Sequence, residues 1–352
     1  MHTTSAPVQL VAAPDALREE LAKPPPELVR TGIAPLDTAL NGGLGSCGVT
    51  YLAAGTGRGK TGFVIQIARA WLAEGREVLF VETELSRRQA LARFLAQEKH
   101  ETWSSLHACN PARSAELIAL AEQRFPRLYV HSWNRGEDLN RLVAALPTQA
   151  KRGLIVDQIS DLARARATER SDMRTATMQV SSELKQLAMV YALPVLAVTP
   201  TSRGVTTNWN DARKGRKGRD FESAAKDAGE LEYDAETLLY LDTEPSQAGI
   251  AAASVHIAKA RHAASNQVIP LRFHAALGLF VPSDSGSAES TEEARVLALV
   301  REQGPMGITK IARELRIGQA KATAIVDRLA AIGKVRKDPR SGVAAQPKNE
   351  AA

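Results

Sequence analysis

The sequence of 352 residues predicts an α/β fold, an open and mainly parallel sheet flanked by helices, with a small winged-helix domain behind it. Three observations predict it. Short apolar runs alternate with helical periodicity between Val49 and Val198, the pattern of strands buried under helices. One strand-to-helix turn, AAGTGRGKT over 53–61, is glycine-rich and ends in Lys60 and Thr61. Past the acidic, serine-rich stretch SDSGSAESTEE, residues 291–340 carry a separate set of apolar residues at helical spacing that runs into a basic hairpin.

The composition is ordinary for a globular protein, 44% hydrophobic and 24% charged. A net charge of +6 permits an anionic partner without demanding one. Cys47 and Cys109 have no C-x-x-C spacing and no accompanying His pattern, so neither a disulfide framework nor a zinc site is indicated. No run approaches the roughly 18 apolar residues of a membrane span, and the N-terminus lacks a basic flank and a cleavage site. The expectation is a soluble cytoplasmic protein without a membrane partner.

Residues 1–28 read as a flexible arm with a short helix at Asp15–Ala22, stopped by Pro24, Pro25 and Pro26. The segment TGIAPLDTALNGGL then gives a loop, a short helix beginning near Pro35 and a Gly-Gly stop. Val49–Ala53 reads as a strand, and GFVIQIARAWLAEG as the helix after it, with Gly75 at its C-terminal end. Between them lies the pattern G-x-x-x-x-G-K-[ST], with Ala54 in place of the first glycine. Such glycines let successive backbone N–H groups converge on phosphates, Lys60 reaches the β and γ phosphates, and the Thr61 hydroxyl sits on Mg2+. Gly55, Thr56, Gly57, Arg58, Gly59, Lys60 and Thr61 are therefore the expected ATP-binding residues. A glycine-rich turn can also be only a turn; the strand before it and the helix after it supply the context that the motif requires.

The strand Val78–Val81 delivers Glu82 and Glu84 to its C-terminal end, and a helix starts at Ser86. A strand at Leu128–His131 and an amphipathic segment, EDLNRLVAALPTQA, follow. Leu154, Ile155 and Val156 then form a strand ending in Asp157, the arrangement of a Walker B carboxylate that holds Mg2+ through water. A strand-end Asp capping a turn has the same local pattern. A helix at Ser181–Tyr191 and the strand in LPVLAVTPTSR complete the alternation. Ligands in open parallel sheets sit at the strand C-termini, where Thr61, Glu84, Asp157 and Thr199 gather.

From Thr31 to Phe280 the chain resembles the C-terminal motor domain of the DnaB-type replicative hexameric helicases, within the RecA-like P-loop ATPases. TGIAPLDTALNGGL resembles the segment before the family's P-loop, and Ala at the first P-loop position is usual there. ETELSRRQALARFLA resembles its "LEMS" motif, RGLIVDQISDL its Walker B, and SSELKQLAMVYALPVLAVTPTSRG its sensor strand. AAKDAGELEYDAETLLYL resembles a segment near the site, and HIAKARHAASNQVIPLRF the hairpin with its Lys and Arg fingers. The resemblance implies that Glu84 polarises the attacking water, that Lys259 and Arg261 act on a neighbouring subunit's ATP, and that the protein forms a homo-oligomeric, hexameric ring. Two departures accompany it. Pro200 stands where the family carries a sensor Gln, and only thirty residues precede Thr31, where the family carries a helical domain that engages primase.

Basic residues fall in two places. Arg203, Arg213, Lys214, Arg216, Lys217 and Arg219 crowd the stretch 202–220 against Asp211 and Asp220, directly after the sensor strand. Rings of this type direct such a loop to the central channel, which favours contact with single-stranded DNA; a solvated loop is the plainer alternative. Trp209 could stack on a base there, and a second basic stretch with Arg164, Arg166, Arg170 and Arg174 follows Asp157. Beyond the linker 283–290, residues 291–340 resemble a winged helix-turn-helix, with Lys310, Lys321, Lys334, Arg336 and Lys337 expected toward duplex DNA and 341–352 as a disordered tail. Two functions remain open. One is an ATP-hydrolysing helicase or translocase on single-stranded DNA in replication or recombination. The other is an ATP-dependent, RecA- or KaiC-like DNA-binding regulator or recombination accessory that assembles without unwinding.

Overall fold

The computed structural model describes residues 11–22, 27–108, 113–147, 151–167, 172–201, 229–244, 249–283, 296, 299–300, 304–315, 318–331, 335–338 and 342–345. The chain divides into two compact units, Met1–Val281 and Pro282–Ala352. The first half of the larger unit runs α1 (Ala13–Leu21), β1 (Leu28–Val29), α2 (Ala34–Ala39), β2 (Leu44–Gly45), β3 (Val49–Ala54), α3 (Lys60–Ala73), β4 (Glu77–Glu82), α4 (Arg87–Lys99), α5 (Trp103–His107), α6 (Ser114–Arg124) and β5 (Leu128–Ser132). It continues with α7 (Leu139–Ala144), β6 (Arg152–Asp157), α8 (Ile159–Arg166), α9 (Met173–Val190), β7 (Val195–Pro200), α10 (Gly229–Asp234), β8 (Thr237–Thr243), β9 (Ile250–Ala260), β10 (Gln267–His274) and β11 (Leu279–Pro282).

Nine strands form one sheet in the order β11-β10-β9-β8-β3-β7-β6-β4-β5. From β5 across to β8 the neighbours are parallel, and β8, β9 and β10 are antiparallel. Successive side chains point to opposite faces, and both faces are covered, which explains why the strands read as unbroken apolar runs. Leu52, Phe80, Ile155 and Val198 join Phe63, Ile67 and Trp71 of α3 and Phe94 of α4 in one core. Tyr51, Val81, Val156 and Ala197 join Leu162 of α8 and Val180 and Leu184 of α9 in the other. Register aligns the ends of the strands: Glu82 lies opposite Asp157, Val156 opposite Ala197, and Ala54 opposite Pro200.

Several expectations need correction. The helix expected from Ser181 is α9, which begins at Met173, where the Asp172 carboxylate caps it by accepting the Thr175 N–H at 2.8 Å. Its first turns, MRTATMQ, carry too few apolar residues for periodicity to register them. The basic stretch after Asp157 is no continuous loop: Arg164 and Arg166 lie on α8, paired with Asp161 and Glu183, and Arg174 lies on α9. Arg170 lies outside the described residues.

The second unit contains α11 (Ile308–Leu315), α12 (Gln319–Ala331) and an antiparallel hairpin of β12 (Val335–Asp338) and β13 (Gly342–Ala345). Val296, Val300, Met306, Ile311, Leu315, Ile325, Val326, Leu329, Val335 and Val343 form its core. Most of residues 291–303 lie outside the described residues. The tail expected from 341 is corrected, because β13 continues the hairpin and Met306 bridges to Val343. Gly342 is in the left-handed region at φ +89°, and a Cβ there would meet the Met306 backbone at 2.6 Å.

Candidate active site

The loop after β3 is shaped by two left-handed glycines, Gly57 at φ +73° and Gly59 at φ +85°. Gly59 is also the N-cap of α3, and a Cβ on it would lie 2.8 Å from ring carbons of Phe273 and Phe280, which stack with centroids 4.4 Å apart. Ala54 ends β3 in extended backbone, so the first motif position has no need of glycine. Lys60 is buried, and its ammonium donates to the carbonyls of Ala54 at 3.2 Å and Gly55 at 3.1 Å. Burial lowers its pKa, while the Asp157 and Glu84 carboxylates act to raise it. The Arg58 side chain turns to the Thr243 carbonyl, with Asp242 at 4.0 Å, and contributes only its backbone to the loop.

Facing this loop are the ends of β4 and β6. Asp157 is buried, with the Thr61 side chain near enough to act on its carboxyl. Burial raises its carboxyl pKa, Thr61 lowers it, Glu84 raises it further, and Lys60 and Arg93 oppose the rise. Glu82, opposite Asp157 in register, is pushed up by burial and then by the Asp157 charge. Glu84 is exposed at the rim of the same cleft. Among the described residues no cluster of three or more His, Cys, Asp or Glu side chains forms a closed metal cage. Mg2+ takes one or two protein oxygens and fills the rest of its octahedron with water and substrate phosphates. The Thr61 hydroxyl, which lines the cleft, and the buried Asp157 carboxylate near it fit that ion.

The glycine-shaped loop thus sets a buried lysine and the Thr61 hydroxyl at a helix N-terminus, with one buried carboxylate near them and another at the rim. Residues 29–281 match the model of the DnaB-like helicase C terminal domain. The chain belongs to that family. Residues 290–342 match the MarR family, in agreement with the winged hairpin of the second unit. Among solved structures, one described as an ATPase domain is 19% identical, with 76% of this chain and 96% of that one covered at a TM-score of 0.60. A DnaB-like replicative helicase, solved to describe its interactions with primase, is also 19% identical, with 78% of this chain and 68% of that one covered at a TM-score of 0.61. No curated protein matched the sequence.

In this DnaB-like domain the cleft has a volume of about 560 Å³ and is lined also by Arg93, Trp103, Pro200, Phe273 and Gly278. The Arg93 guanidinium lies 4.5 Å from the Trp103 ring centroid and donates to the Gln89 carbonyl at 3.2 Å. Gln97 donates to the Gly62 and Gly278 carbonyls, both at 2.7 Å, and so ties α4 to the start of α3. Sequence reasoning did not single out Arg93, Gln97 or Trp103. The available signal was phase: Arg93 and Gln97 share the helical face of buried Ala90 and Phe94, where polar residues need a reason.

The structure does not bring Lys259 and Arg261 to this cleft. Lys259 lies opposite Leu238, at the end of the sheet where Thr237 pairs with Thr50 at the start of β3, whereas the P-loop follows Ala54 at its other end. The Lys259 ammonium donates to the Glu232 carbonyl, and burial, with the Arg261 charge, lowers its pKa. Arg261 is exposed. Thr199 is buried at the end of β7. The DNA-loop residues Arg203, Arg213, Lys214, Arg216, Lys217 and Arg219, with Trp209, lie outside the described residues, as does Lys334. On the winged unit Lys310 and Arg336 are exposed, and Lys321 and Lys337 have their backbones on α12 and β12.

Proposed function

We propose that the protein is an ATP-hydrolysing motor that assembles as a hexameric ring and moves along single-stranded DNA in the cytoplasm, in replication or recombination. The observation that carries this reading is the meeting of Lys60, Thr61 and Glu84 in one cleft at the C-terminal end of the sheet, with Asp157 buried near Thr61. Lys60 and the N-terminus of α3 bind and neutralise the phosphates. Thr61 and Asp157 would hold Mg2+, which would supply neutralisation of the phosphate charge. Glu84, exposed to the cleft, orients the attacking water and takes its proton.

Lys259 and Arg261 serve the ATP of the adjacent subunit, a role supported by their distance from their own P-loop along β3 and by the exposure of Arg261. The basic residues between Arg203 and Arg219 grip the single strand, and Lys321, Arg336 and Lys337 of the winged unit contact duplex DNA. One observation favours a second reading, an ATP-dependent regulator without unwinding: Pro200 borders the cleft beside Ala54 and has no side-chain donor for a terminal phosphate. Strand displacement on a forked duplex, with ATP hydrolysis followed with and without single-stranded DNA, separates them. DNA-stimulated hydrolysis with displacement supports the motor; hydrolysis that assembles protein on DNA without displacement supports the regulator.

A further inference from the structure

Glu82 is a carboxylate that the proposed reaction does not use, and its placement is costly. It is 1% exposed, sits beside the buried Asp157, and has one oxygen, Oε2, without a hydrogen-bond partner. Two buried carboxylates on adjacent strands repel each other in a medium that screens poorly. Its other oxygen makes specific contacts: Oε1 accepts the backbone N–H of Glu84 at 3.1 Å and that of Leu85 at 2.9 Å. Its own carbonyl accepts the Trp133 N–H at 2.9 Å, which anchors the end of β4 to the chain leaving β5. Just beyond, α4 is closed by a reciprocal cap, in which the Ser86 hydroxyl accepts the Gln89 N–H and the Gln89 side chain accepts the Ser86 N–H. The turn that carries Glu84 is thus held from both sides, by Glu82 before it and by the α4 cap after it.

We propose that Glu82 is the positioning residue for Glu84: by accepting the Glu84 and Leu85 N–H groups it folds the chain at the end of β4 so that the Glu84 carboxylate is held in the cleft with Lys60 and Thr61. This rests on the assignment of Glu84 as the hydrolytic carboxylate. The requirement is for an acceptor at this reach. An amide oxygen meets it, and a side chain one methylene shorter does not. A misplaced catalytic group lowers turnover while leaving phosphate binding, which belongs to the P-loop, nearly untouched.

The test is a mutant cycle in the full chain, with kcat and KM for ATP and the affinity for a non-hydrolysable ATP analogue as readouts. Glu82→Ala and Glu82→Asp should lower kcat by about tenfold or more with KM and analogue affinity within about twofold, and Glu82→Gln should keep kcat within about threefold of wild type. In the double variant with Glu84→Gln, loss of Glu82 should bring no further fall, because it acts only through Glu84. If Glu82→Ala fails to fold, the contrast between Glu82→Gln and Glu82→Asp decides alone. Unchanged kcat in Glu82→Asp, or analogue affinity that falls with kcat, overturns the proposal. Should Glu84→Gln hydrolyse normally while Glu82→Gln does not, the hydrolytic assignment fails as well, and Glu82 is itself the base. An inactive Glu84→Gln beside a fully active Glu82→Asp removes only the positioning role.

Discussion

The two ends of the central sheet differ in what they hold. At the C-terminal end of β3, β4 and β6, burial gathers Lys60, Asp157 and Glu82 behind the exposed Glu84, with left-handed glycines closing the loop. At the other end, the β9–β10 hairpin carries Lys259 and Arg261 next to the start of β8, tied by its backbone to Glu236 and by His262 to the Gly43 carbonyl at 3.0 Å. The first end sets carboxylates around Lys60 in a cleft, and the second holds Lys259 and Arg261 beside Glu232, Asp234 and Glu236, away from that cleft. On the proposed reading the difference teaches that each subunit keeps its site and its fingers apart, so that a neighbour must bring them together.

The largest effect expected at the carboxylate end is from Glu84→Gln, which should lower kcat about 10²- to 10⁴-fold and leave ATP binding intact. Single-turnover hydrolysis beside an analogue titration checks it, and normal turnover would move the base elsewhere. Lys60→Ala should weaken ATP binding by about two orders of magnitude, because a charge-assisted contact to the phosphates is lost from a buried position. Unchanged affinity in a fluorescent-nucleotide titration would remove the P-loop assignment.

Gly59→Ala sharpens the contrast within the loop itself. Its φ of +85° and the approach of Phe273 and Phe280 both oppose a Cβ, so about 1–3 kcal/mol of stability should be lost, read by denaturant unfolding. The smallest effect lies away from both ends, in the turn after β5. The Asn134 N–H and the His131 ring hold the Glu137 carboxyl down to about 2, below its ordinary 4.5. A depressed carboxyl stabilises the fold above 4.5 and loses that contribution as pH falls toward 2. Glu137→Gln should therefore cost less than about 1 kcal/mol at neutral pH, because the group is partly exposed, and the difference from wild type should vanish in acid. A penalty that stays constant with pH would assign it to packing. Turnover should not change.

The P-loop and the Asp157 strand were legible because each is a local pattern whose function lies in neighbouring residues: a glycine-rich turn between a strand and a helix, and an apolar run ending in a carboxylate. The fingers were named only through resemblance. Nothing in HIAKARHAASNQ fixes which end of the sheet it occupies until β9 pairs with β8. The packing of Phe273 and Phe280 under Gly59, and the bridge from Gln97 to Gly62 and Gly278, join segments far apart in the chain, which periodicity does not reach. The polar start of α9 was missed because its cap, Asp172, precedes few apolar residues.

The claim that site and fingers belong to different subunits is tested most directly by mixing two inactive variants. Arg261→Ala keeps an intact P-loop, and Lys60→Ala keeps an intact hairpin. An arginine supplied in trans contributes about 10³ to 10⁵ in rate, so neither variant alone should turn over ATP. In a co-assembled mixture, an Arg261→Ala subunit binds ATP and receives the finger of its Lys60→Ala neighbour, and hydrolysis should return at a fraction of the wild-type rate. No recovery in a mixture that demonstrably co-assembles, or full activity of wild-type protein diluted to monomers, would contradict the account.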